Sequence, residues 1–140
     1  ALQRRWIAVH QFPQPRFDVI AGLRSLQPNF QTIAAMDSSD GLANAVIQLC
    51  RSSGVGAQLS PLALPEGLAA WVGPDQAQDW VLYGGEDFEL VLCLPVDTAI
   101  ALQQQLPQCT VIGQTTSADS IELAGQPLTL AGNFQHFGQR

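Results

Sequence analysis

Between Thr32 and Arg51 the chain changes hydrophobic period across four polar residues. Thr32-Ile33-Ala34-Ala35-Met36 has the length and apolar content of a short buried strand, and it stops at Asp37. From Gly41 to Arg51, Leu42, Ala45, Val46, Leu49 and Cys50 recur at helical spacing, and Gly54 supplies a natural stop. Asp37-Ser38-Ser39-Asp40 must therefore turn a strand directly into an amphipathic helix. That requirement points to mixed α and β structure, with the turn at the edge of a core.

The rest of the pattern fits the same class. The two prolines of Phe12-Pro13-Gln14-Pro15-Arg16-Phe17 keep that segment extended. A helix is predicted from Phe17 to Leu26, stopped by Pro28. Val55 to Leu64 reads as a strand broken at Pro61, while 65–79 is cut by Pro65, Gly67, Gly73 and Pro74. Glu86 to Leu94 reads as a central strand, its continuous apolar end implying cover on both faces. A helix capped by Asp97 runs to about Leu106, and Thr110 to Gly113 forms a strand. Ser120 to Leu130 resembles a hairpin turning at Ala124-Gly125. The expected fold is α+β, with helices packed on a mixed, largely antiparallel sheet.

With 140 residues, the chain suits one domain, 1–140, with a real core. Its net charge is −6, and its six cationic side chains are all arginine, with no basic run. Nucleic-acid binding is not expected, because affinity for a phosphate backbone needs several clustered cations. No apolar run is long enough to span a membrane. Cys50, Cys93 and Cys109 are widely spaced and read as free thiols, ahead of a disulfide or zinc site. The start, Ala1-Leu2-Gln3-Arg4, is no convincing signal peptide and is compatible with the middle of a longer protein. The cytoplasm is the default compartment.

Chemistry concentrates in two acidic segments. In the first, Asp37 stands at a strand end and Asp40 at a helix start, so a tight connection can aim both at one space. Mg²⁺ takes oxygen ligands, usually one or two carboxylates with phosphates and water. A helix N-terminus adds N–H donors for an anion, and Gly41 either lets phosphate approach or only permits the backbone turn. Against this, Asp37 could merely close the turn, and Ser38, Ser39 or Asp40 could merely cap the helix.

The second segment is Tyr83-Gly84-Gly85-Glu86-Asp87-Phe88-Glu89. Its glycines permit sharp entry into a strand, and strand alternation puts Asp87 and Glu89 opposite Glu86. It is a binding site or a solvated strand start. It is not a P-loop, since the chain has no lysine. Arg16 suits either a phosphate or an exposed structural role, and His10 and His136 have no metal spacing with any cysteine. Phe134 and Phe137 are a core plug or a platform for a flat ring, and Trp6, Trp71 and Trp80 read as packing residues.

Together, Met36-Asp37-Ser38-Ser39-Asp40-Gly41-Leu42 and Tyr83-Gly84-Gly85-Glu86-Asp87-Phe88-Glu89-Leu90 resemble the C-terminal half of bacterial thiamine-monophosphate kinases. That family belongs to the superfamily of aminoimidazole ribonucleotide synthetase and selenophosphate synthetase. The likeness runs from Pro13-Gln14-Pro15-Arg16 to Gly132-Asn133-Phe134-Gln135-His136-Phe137. It implies a fold like the C-terminal domain of aminoimidazole ribonucleotide synthetase, in a kinase that phosphorylates thiamine monophosphate from ATP. It also implies Mg²⁺ held through Asp37 and Asp40, phosphate contacts at Ser39 and Gly41, and thiamine-side contacts at Glu86 and Phe134. Ser38 stands where the family often has an apolar β-branched residue. The family's N-terminal nucleotide-binding domain is missing from these residues, so the chain alone is expected to be inactive. The full-length form is expected to be a homodimer. The alternatives are a noncatalytic dimerisation or ligand-binding domain, or a related enzyme with another small phosphate acceptor.

Overall fold

The computed structural model describes residues 2–26 and 29–130. Its helices are α1 (Leu2–Gln11), α2 (Phe17–Leu26), α3 (Leu42–Ser53), α4 (Leu68–Val72), α5 (Pro74–Tyr83) and α6 (Val96–Gln105). The strands are β1 (Ala34–Asp37), β2 (Gly56–Leu59), β3 (Leu90–Cys93), β4 (Gly113–Thr116), β5 (Ile121–Leu123) and β6 (Gln126–Pro127). β1 and β3 form an antiparallel ladder, with Asp37 opposite Leu90. The second sheet has the order β4-β2-β5-β6, in which β2 is antiparallel to β4 and parallel to β5. The α+β class with mixed and antiparallel sheets is as expected.

α3 organises the core. It packs against β1, β2, β3 and α5, so it is covered on more than one side. Its buried set accordingly adds Ala43 and Ile47 to the predicted stripe. Ala43, Val46 and Cys50 meet Ala57 and Leu59 from β2, Leu82 from α5 and Leu123 from β5. A second cluster joins Val19 and Leu23 of α2 to Leu102 of α6. β3 lies between the two clusters, with Val91 packed on the first and Leu90 and Leu92 on the second. This alternation explains the continuous apolar run. A strand apolar at every position is one with protein on both faces.

Several elements differ from expectation. Among the described residues β3 pairs only with β1, so it is not central to a large sheet. Thr32 belongs to a 3₁₀ turn over Phe30–Thr32, and β1 begins two residues later than predicted. β2 stops at Leu59, two residues before Pro61. β4 begins where the predicted strand ended, because Ile112 packs against the first cluster while Gln114, Thr115 and Thr116 pair with β2. Asp97 lies in the first turn of α6 without capping it, and the N-cap is Pro95. An acidic residue there still favours the positive end of the helix. The ambiguous 65–79 stretch holds α4 and the start of α5, separated by Gly73 at φ +87° with Pro74 opening the next helix.

α1 was not anticipated and has no buried residue. Trp6 stacks on Trp71 at 5.8 Å between centroids, and Trp71 meets Trp80 edge-on at 5.9 Å. The three tryptophans therefore link α1, α4 and α5. The cysteines are free, and burial pushes the Cys50 and Cys93 thiols up, so they stay protonated near neutrality. The Pro28 stop lies outside the described residues.

Candidate functional site

The two acidic segments, Asp37–Asp40 and Tyr83–Glu89, are distant in sequence but meet edge to edge. The β1–β3 ladder delivers Asp37 opposite Leu90, and backbone hydrogen bonds continue the contact beyond the strands. Ser38 N–H donates to Glu89 O and Glu86 N–H donates to Ser39 O, each at 2.8 Å. Gly41 N–H returns to Ser38 O at 2.8 Å, which closes the turn that leads into α3.

Two glycines allow this close fit. A Cβ on Gly85 would stand 2.6 Å from Ser39 O. Gly41 has φ +94°, and a Cβ there would meet Leu82 O and the Tyr83 carbonyl carbon at 3.1 Å. The space at Gly41 thus accommodates the end of α5, as the backbone-permission alternative requires. Gly41 is also the N-cap of α3, with no side-chain capping bond. The expectation that Ser38, Ser39 or Asp40 caps this helix is corrected, because the left-over turn geometry puts glycine at the cap.

Asp37 and Asp40 are both exposed. Asp37 Oδ1 accepts the Ser39 N–H at 3.1 Å, so it does close a local turn. Hydrogen bonding from Ser39, side chain first and backbone second, holds the Asp37 carboxyl below its usual range. Asp37 is therefore ionised and acceptor-only at neutral pH. Among the described residues no group of three or more His, Cys, Asp or Glu side chains is placed to hold a metal ion. Asp37 and Asp40 supply two exposed carboxylates, and Mg²⁺ usually takes one or two carboxylates with phosphates and water.

Residues 86–89 are not a strand, contrary to the sequence pattern. Glu86 and Phe88 have φ of +67° and +51°, left-handed values that side chains other than glycine seldom adopt. This irregular backbone replaces the expected alternation of Asp87 and Glu89 against Glu86. Glu86 and Asp87 are both exposed, and Asp87 accepts the Ser38 hydroxyl at 2.7 Å. Phe134, with Gly132, His136 and Phe137, lies outside the described residues.

Arg16 is an ion-pair residue. Its guanidinium binds Asp18 through two 3.0 Å hydrogen bonds and also pairs with Glu89. Gln108 Nε2 donates to Asp18 Oδ2 at 3.1 Å, tying the loop after α6 to the same group. The roles of Asp18 and Gln108 were missed, although Asp18 lies only two residues from Arg16. Hydrogen bonding to Arg16 is the largest influence on Asp18 and lowers its pKa to about 2. The carboxyl thus titrates lower in the folded chain than in the unfolded one. The pair's contribution to stability is complete above the ordinary Asp range and is lost as pH falls through about 2. We expect a carboxyl-carbon NMR titration to place the Asp18 midpoint near that value. Arg16→Gln should return it to roughly 4. A midpoint already near 4 in the unsubstituted protein would contradict the pairing.

No protein-family model matches the chain. It is 46% identical over 143 residues to thiamine-monophosphate kinase of Synechococcus elongatus, covering 97% of this chain and 43% of that protein. The solved thiamine-monophosphate kinase of Stenotrophomonas maltophilia K279a is similar at TM-score 0.64 and 28% identity, over 82% of this chain and 37% of that one. AaThiL complexed with AMPPCP and TMP is similar at TM-score 0.59 and 26% identity, over 74% of this chain and 33% of that one. The chain spans less than half the length of the curated relatives it matches.

Proposed function

The chain is homologous to part of the thiamine-monophosphate kinases, and from that premise we propose that it is the C-terminal domain of such an enzyme. In this reading the full-length protein transfers the γ-phosphoryl group of ATP to thiamine monophosphate. An N-terminal domain of similar size supplies much of the nucleotide and metal binding. The full-length enzyme is a cytoplasmic homodimer. No helix of the described residues is long and apolar enough to cross a membrane.

The observation that carries the reading is the meeting of the two acidic segments. It brings the turn with Asp37 and Asp40 beside the loop with Glu86. A similar solved protein, AaThiL, is complexed with AMPPCP and TMP, which supports ATP as donor and thiamine monophosphate as acceptor here.

The roles follow from position and chemistry. Asp37 and Asp40 would hold Mg²⁺, which when bound neutralises phosphate charge and aligns the reacting oxygens. Ser39 would contact the phosphates near the start of α3, where the helix field favours anions, and Gly41, buried with its N–H bonded to Ser38 O, would shape the turn that brings them there. Glu86 and Phe134 would face the thiamine. A phosphate oxygen of thiamine monophosphate attacks the γ-phosphorus in line, and the bond to the bridging oxygen breaks as ADP leaves. The attacking oxygen is already ionised, so no side chain is needed as a general base.

Turnover tests the proposal. The full-length protein with ATP and Mg²⁺ is expected to convert thiamine monophosphate to thiamine diphosphate, forming one ADP per product. The 140-residue chain alone is expected to form none. Preferential turnover of a different phosphate acceptor, with thiamine monophosphate inert, would overturn the substrate assignment. Turnover by the short chain would overturn the shared site.

A further inference from the structure

Among the described residues Ser38 is the buried polar residue, 3% exposed, and its hydroxyl and backbone N–H both bond the second acidic segment. The hydroxyl donates to Asp87 Oδ1 at 2.7 Å and has Glu89 O as a longer alternative at 3.3 Å. The backbone N–H of the same residue donates to Glu89 O at 2.8 Å. One residue thus grips both Asp87 and Glu89 from between Asp37 and Ser39. On either side of Asp87, Glu86 and Phe88 sit at positive φ. Such backbone persists when surrounding contacts over-determine it. The hydroxyl of buried Ser38 reaches the residue between these two in a part-buried hydrogen bond. An apolar side chain at 38 would fill the space but leave the Asp87 carboxylate without this donor.

We propose that Ser38 is a positioning residue, whose hydroxyl bond to Asp87 fixes the Glu86 loop in register with Asp37 and Asp40 and so sets affinity for the phosphorylated acceptor. This rests on the assignment of Glu86 to the acceptor side. Ser38 itself touches neither substrate. Its influence passes through Asp87 to the backbone that carries Glu86.

The test uses the full-length enzyme with Ser38→Ala, Ser38→Thr, Asp87→Ala and the Ser38→Ala/Asp87→Ala double variant. Ser38→Ala should raise the KM for thiamine monophosphate about tenfold, the size of one lost hydrogen bond to a charged group, with kcat and the KM for ATP within about threefold. Ser38→Thr should restore the acceptor KM, and the double variant should be no worse than the more severe single variant. Amide hydrogen exchange without substrates gives a second readout. Residues 84–89 should exchange about tenfold faster in Ser38→Ala, with α3 protection unchanged. An unchanged acceptor KM, equal changes in both KM values, or additive losses in the double variant would overturn the proposal. Unchanged exchange at 84–89 would also overturn it. If the unsubstituted enzyme does not phosphorylate thiamine monophosphate, the functional assignment fails, and the exchange result still decides whether Ser38 fixes the loop.

Discussion

Replacing Asp37 and Asp40 together by asparagine is expected to lower turnover of the full-length enzyme by about a thousandfold or more while leaving the fold intact. The size follows from the charge removed. Phosphoryl transfer gathers several anionic oxygens in one place, and these two carboxylates are the proposed anchors for the cation that balances them. Their role in folding is small by comparison. Both are exposed, and neither belongs to a core cluster. Asparagine keeps the oxygen with which Asp37 accepts the Ser39 N–H. The thermal midpoint should therefore move by no more than about 2 °C. Steady-state turnover at saturating Mg²⁺, measured beside thermal unfolding, separates the two effects. Undiminished turnover in the double variant would remove both residues from the proposed machinery.

Gly85→Ala should damage both stability and activity. The added Cβ would be placed 2.6 Å from the Ser39 carbonyl oxygen, closer than real Cβ atoms come. That oxygen already accepts the Glu86 N–H at 2.8 Å, so the carbonyl cannot retreat without losing this bond. Nor is the obstacle the flexible end of a side chain. The loop must lift off the Asp37–Gly41 turn, and overpacking of this kind costs about 1–3 kcal/mol. Urea unfolding should show a lower midpoint with an unchanged slope, and kcat/KM for the acceptor should fall at the same time. A variant with unaltered midpoint and kinetics would show that the two segments are not in the contact described.

What could be read from the chain alone follows from where each segment takes its partners. α2 was predicted at its observed bounds, and α3 to within two residues at its end, because apolar spacing and Gly54 are local signals. The two-sided cover of β3 was legible in Leu90-Val91-Leu92 for the same reason. Residues 86–89 were not legible. Their alternating pattern favours a strand, but Asp87 is held by Ser38 across 49 residues and Glu89 by Arg16 across 73. Contacts so distant override local preference without leaving a periodic trace. α1 was missed because it buries nothing, and Trp6 gains meaning only when α4 brings Trp71 beside it. At the site, residue types singled out Asp37, Asp40 and the acidic segment 86–89, and the family resemblance singled out Glu86. Sequence order could not reveal that Ser38 and Ser39 bind the second segment, since that depends on β1 and β3 being neighbours.

The central claim is that Asp37 and Asp40 bind one metal–phosphate assembly. The direct measurement is anomalous scattering from Mn²⁺ in crystals of the full-length enzyme with thiamine monophosphate and a non-hydrolysable ATP analogue. Anomalous peaks within coordination distance of carboxylate oxygens from both residues, bridged to phosphate oxygens, are expected. Fully bound substrates with every Mn²⁺ peak elsewhere, and both carboxylates turned from the phosphates, would contradict it.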